Sequence, residues 1–135
     1  MNSALTRELA RWWAEINENQ FEGAMRPPSL LVDDTSRRLG CWESNSRTLH
    51  LARRLLDEQA WGEVIEVLRH EMAHQYVDEV LGIRDETAHG PAFRRVCAER
   101  AIDSRAAGHL KPNPAAASIM RKIPGLLALA ESDNE

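Results

Sequence analysis

The stretch His70-Glu71-Met72-Ala73-His74 has the form H-E-x-x-H and lies inside a long run of apolar residues at helical spacing. On a helix, histidines four apart project one above the other, with Cβ atoms about 5–6 Å apart. Both imidazoles can then reach one zinc ion through bonds of about 2.0–2.1 Å. Glu71 directly follows the first histidine, so its carboxylate swings beside the ion without ligating it, where it can take a proton from water. The spacing thus supplies two ligands and a base. The same string also arises by chance on charged helices, where its histidines are solvated. Here Met72, Ala73 and Val77 make the stretch the least exposed of the chain, and ionisable groups are rarely buried without a partner.

A catalytic zinc needs a third protein ligand and an open position. The pattern H-E-x-x-H-x-x-G-x-x-H is excluded, because Val77 stands at its glycine and Val80 at its last histidine. Two downstream candidates remain. His89 begins His89-Gly90-Pro91-Ala92-Phe93, where Pro91 suits the first turn of a helix continued by Phe93, Val96, Cys97 and Ile102. Glu99, with Asp103 four residues on, would imitate sites that use a helical glutamate. His89 is preferred, because the neighbouring Gly90 permits close backbone approach. Asp78 and Asp85 are candidates to orient the histidines. Arg84 is a possible oxyanion donor, and Tyr76, two residues from His74, points away by helical periodicity.

Around this centre the chain reads as α+β. Leu5, Leu9, Trp12, Trp13 and Ile16 recur at helical spacing between Ser3 and Gln20. Trp12 is placed on the apolar stripe, with Trp13 less clearly so. Pro27-Pro28 stops the helix. Leu30–Val32, Arg38–Trp42 and Thr48–Leu51 follow as short runs separated by turn-forming residues, which predicts a three-stranded antiparallel meander with His50 facing solvent. Asp57 is the expected N-cap of the central helix, which runs to Gly82. Gly108, Pro112 and Pro114 break the chain, and a last helix is expected from Ala115 to Ala130 before a frayed end.

With 135 residues, 43% of them hydrophobic, the chain suits one domain with a modest core. A formal charge of -4 argues against a globally basic nucleic-acid binder. The two cysteines, Cys41 and Cys97, have neither C-x-x-C nor zinc-ribbon spacing and read as reduced thiols. No apolar run approaches the roughly 18 residues of a membrane span, and the N-terminus lacks signal-peptide order, so a cytoplasmic location is expected.

The H-E-x-x-H string, the acidic loop and His89-Gly90-Pro91-Ala92-Phe93, with Leu55-Leu56 and the strand before them, resemble the SprT-like domain, which includes the catalytic domain of Spartan proteases. The resemblance covers roughly residues 3 to 103. It implies a zincin-like metallopeptidase domain, helical with a small three-stranded sheet, extending over residues 1–111 with 112–135 as a C-terminal extension. It further implies Zn2+ held by His70, His74 and His89, with Glu71 as general base and a protein or peptide as substrate. Spartan-type members cleave proteins crosslinked to DNA through separate DNA-binding elements, and two cysteines cannot supply the four ligands of a zinc ribbon. DNA remains a possible partner through Arg37, Arg38, Arg47, Arg53 and Arg54. The alternative function is a non-catalytic module in which zinc staples two helices, its fourth position closed by Asp85 or Glu86, or a nucleic-acid adaptor.

Overall fold

A computed structural model describes residues 3–34 and 38–105. Its first helix, α1, spans Ser3–Gln20. Leu5, Leu9, Trp13 and Ile16 form its buried stripe, at spacings of four, four and three. Trp13, rather than Trp12, is the deeply buried tryptophan, and Trp12 only packs against the edge of the core. Trp13 can be buried because its indole N–H donates to Gln75 Oε1 at 3.2 Å. Asn17 then ties down the turn after α1, its amide donating to the Met25 carbonyl and accepting from the Met25 N–H.

Three strands follow: β1 (Ser29–Asp33), β2 (Gly40–Glu43) and β3 (Thr48–Ala52). Their order is β1-β3-β2, with β3 parallel to β1 and antiparallel to β2. The sheet is therefore mixed, and the expected antiparallel meander is corrected. Turn residues specify that the chain reverses but not which strand becomes the neighbour. β3 carries Leu49 and Leu51, both almost wholly buried, so burial favours it as the central strand and leaves β2 at the edge. Leu30, Val32, Leu49, Leu51 and Trp42 share the face turned toward the helices.

His50 lies on the opposite face and is half-buried rather than solvated. Its Nδ1 meets Asp33 Oδ2 and its Nε2 meets Glu43 Oε1, each at 3.0 Å, so one ring links β1, β3 and β2. Burial disfavours its charge, but the hydrogen bonds to Glu43 and Asp33 outweigh burial and raise its pKa above the ordinary histidine value. A raised folded-state pKa stabilises most below the unfolded value of about 6.5 and loses that contribution as pH rises through the folded value. The stability difference between the wild type and His50→Gln is therefore expected to shrink from pH 6 to pH 8. The change should stay below about 1 kcal/mol, because the partners are partly exposed. Denaturant unfolding at the two pH values measures it.

The central helix is two helices. The short α2 (Arg53–Glu58) contains Asp57, and α3 (Trp61–Gln75) starts after it. Ala60, not Asp57, occupies the N-cap of α3 and makes no side-chain cap bond. Leu55 and Leu56 are buried in α2, and anchoring them there takes Asp57 away from the start of α3. Beyond Gln75 the chain continues as a π-helical turn, Tyr76–Val80, and Gly82 ends it at φ 66°, a left-handed conformation suited to glycine. α4 (Pro91–Glu99) has proline in its first turn. Ile102 is buried but lies beyond α4, after a left-handed Ala101. The expected helix over residues 115–130, the extension over 112–135 and Arg37 lie outside the described residues.

α3 forms the spine, packing against β2, β3, α1 and α4. Both cysteines are free thiols. Among the described residues no helix is long and apolar enough to cross a membrane.

Candidate metal centre

α3 carries His70 and His74, whose ring centroids lie 5.0 Å apart. The loop before α4 brings His89 to within 5.2 Å of the first ring and 5.1 Å of the second. One ligand nitrogen from each of the three lies within 4.8 Å of the others. Two ligands on one tetrahedral zinc, with bonds of about 2.1 Å, stand about 3.4 Å apart, so side-chain rotations that draw the nitrogens together by about 1 Å complete the cluster. Among the described residues this is the one such group of histidine, cysteine or acidic side chains. Asp85 and Glu86 do not join it. Glu99 sits at the end of α4, exposed and 3.3 Å from Arg100 Nη1.

The protonation of His70 can be read from its partner. Its Nδ1 lies 3.1 Å from the Asp103 carbonyl oxygen. A carbonyl only accepts, so Nδ1 carries the hydrogen and Nε2 carries the lone pair. Nε2 is buried and has no hydrogen-bond partner. A buried acceptor left alone costs about 1–3 kcal/mol, and a cation among the three imidazoles would satisfy it. Burial lowers the pKa of His70, opposed by the Asp103 hydrogen bond. Burial, with His70 and His89 nearby, brings His74 down to about 3. Neutral imidazoles are the form that binds metal. The residues therefore fit a metal ion by donor chemistry as well as by position.

The aromatic wall behind the cluster is Phe93, almost fully buried in α4. Its ring stacks on His74 at 4.0 Å and 14° and lies 4.9 Å from His89 and 5.0 Å from His70. The loop that delivers His89 is fastened by Glu86, whose carboxylate accepts the Ala92 N–H at 3.0 Å in the first turn of α4. A Cβ at position 90 would stand 2.9 Å from Glu86 Oε1 and 3.1 Å from the Thr87 carbonyl. Gly90 thus allows the loop to close over its own acid.

Glu71, on the neighbouring side of α3, is 2% exposed. Burial pushes its pKa up to about 8, opposed by the charge of Arg38 and by a hydrogen bond from the Trp42 backbone. β2 presses directly on this side chain: a Cβ at Gly40 would lie 2.9 Å from Glu71 Cγ and 2.9 Å from Val67 Cγ1. Gly40→Val is therefore expected to destabilise the fold by about 1–3 kcal/mol through overpacking and to shift Glu71. A lower melting temperature, with metal content retained, is the observable.

A cavity of about 810 Å3 opens over the histidines and Glu71, walled by β2 on one side and by the 83–89 loop on the other. Arg38 lines it, a placement that the arginine count in the sequence gave no reason to expect. Asp78 does not orient the histidines. It accepts from the Trp42 indole at 2.9 Å and from the Arg84 guanidinium, joining β2 to the π-helical turn. The Asp103 carbonyl orients His70 instead. Tyr76 faces away, its ring tilted at 42° to Phe21 and lying under the Arg100 guanidinium. Of the arginines grouped in the sequence, Arg47 is bound by Glu79 and Arg53 by Asp34.

No curated protein matches the chain. The sequence profile of the SprT-like family matches residues 9–109, a span that holds H-E-x-x-H, the fastened loop and His89-Gly90-Pro91-Ala92-Phe93 together. The chain belongs to the SprT-like family.

Proposed function

We propose that this chain is a zinc-dependent metalloendopeptidase acting on protein or peptide substrates. The observation that carries this is the buried carboxylate of Glu71 beside three imidazoles that share an open cavity, with no acidic fourth ligand among the described residues. Zinc bound there would act as a Lewis acid, acidifying water and polarising the scissile carbonyl. Glu71 accepts the proton of the attacking water and returns it to the leaving amine. The Trp42 backbone and the edge at Gly40 hold that carboxylate in place. The free thiols of Cys41 and Cys97 suit a reducing, cytoplasmic setting.

The helix-stapling alternative requires a closed fourth position. Of its two candidate ligands, Glu86 already accepts the Ala92 N–H of α4, and neither Asp85 nor Glu86 joins the three histidines, which favours the peptidase. The adaptor alternative is weakened by the ion pairs of Arg47 and Arg53. The test is the appearance of new amino termini on an unfolded casein-type substrate, with and without single-stranded DNA, before and after chelation and zinc restoration. Cleavage that follows zinc supports the peptidase. Cleavage only with DNA present would make nucleic acid a required partner, and a zinc-loaded but inert protein would favour the staple.

A further inference from the structure

The catalytic cavity does not end at the histidines. Arg84 lines it and also lines a second pocket of about 260 Å3, formed with Ala24, Met25, Arg26, Glu79 and Val80. Arg84 is the residue common to both linings, so a polypeptide extending from the first cavity toward the second would pass it. The charges of the second pocket are unbalanced. The Glu79 carboxylate is taken up by Arg47 at 2.5 and 2.8 Å and by Gln75 at 3.2 Å. Asp78 holds Arg84 through Nε, and its backbone carbonyl lies 3.4 Å from Nη2. The Arg84 side chain is still 67% exposed, and Nη1 makes no bond within the described residues. Arg26 is exposed, its backbone carbonyl used by Arg47 and Gln75 while its guanidinium has no partner among the described residues. The acceptors are therefore committed and donors are left over. This local excess of cation runs against a chain of net charge -4. Val80, 38% exposed, and its neighbour Leu81, 42% exposed, add an apolar rim suited to an alkyl stem.

We infer that the pocket between Arg26 and Arg84 is a substrate subsite for an acidic side chain, an aspartate or glutamate of the bound polypeptide removed from the scissile bond. The inference rests on the peptidase proposal for the location of the substrate, but its test does not depend on turnover. Zinc-loaded full-length Glu71→Gln protein is titrated with three fluorescein-labelled peptides identical except for glutamate, glutamine or lysine along the chain, and binding is read by anisotropy. The glutamate peptide should bind about tenfold more tightly than the lysine peptide, in line with modest exposed charge pairs. The preference should fade near 1 M salt, where the screening length is about 3 Å. Arg26→Glu should abolish or invert the preference, and Arg26→Lys should retain it. Equal binding of the three peptides, no binding of any of them, or a preference unchanged in Arg26→Glu would overturn the inference. Failure of the peptidase proposal would appear separately, as absent cleavage by the wild-type protein.

Discussion

Glu71→Gln is expected to keep its fold and its zinc while losing peptide hydrolysis by at least about 10²-fold, the lower bound for a positioned general base. The side chain is held against Gly40 and the Trp42 backbone at the edge of the cavity, and glutamine has the same shape. Its carbonyl oxygen can still accept from the Trp42 backbone, so packing and position are retained. What disappears is the ability to take a proton. Because burial already disfavours the carboxylate, exchanging it for a neutral amide should not lower the melting temperature. Metal content, melting temperature and turnover, measured on one preparation, separate loss of the base from loss of the site. Full activity in Glu71→Gln would sink the mechanism.

His89→Ala is expected to act on the metal instead. Removing groups that merely orient a ligand costs about 10–100-fold in metal affinity, so loss of the ligand itself should exceed about 100-fold. His89 is exposed at its loop, and its ring contacts are with the other imidazoles and Phe93. The metal-free fold should therefore persist. Glu99→Ala, at the far end of α4, should leave zinc binding unchanged. Zinc retained in His89→Ala and lost in Glu99→Ala would assign the third position to the glutamate. Competition with a chromophoric chelator resolves the two outcomes.

The parts of the site visible in the sequence are those with a fixed local period. The spacing of His70 and His74 places them on one helix face whatever surrounds them, and Pro91 marks the start of α4 through its fixed φ and missing N–H. Gly90 was legible as a point of close approach, and the structure shows the approaching group to be the Glu86 carboxylate. The parts that stayed hidden depend on nonlocal pairing or on backbone atoms. Strand order follows from which strand can be buried on the helix layer, and turn residues do not encode it. The partner of His70 is a main-chain carbonyl at position 103, which any residue would have supplied. Gly40 and Arg38 enter the site only because β2 lies at the sheet edge against α3. Trp12 and Trp13 differ by one helical step of about 100°, and the indole bond to Gln75 settles which is deeper.

The most direct test of the central claim is the release of new amino termini from an unfolded protein substrate by the chain carrying one zinc per molecule. Hydrolysis that vanishes on chelation, returns with zinc and is missing in Glu71→Gln is the expected result. Zinc-loaded wild-type protein that releases no more termini than Glu71→Gln would contradict it.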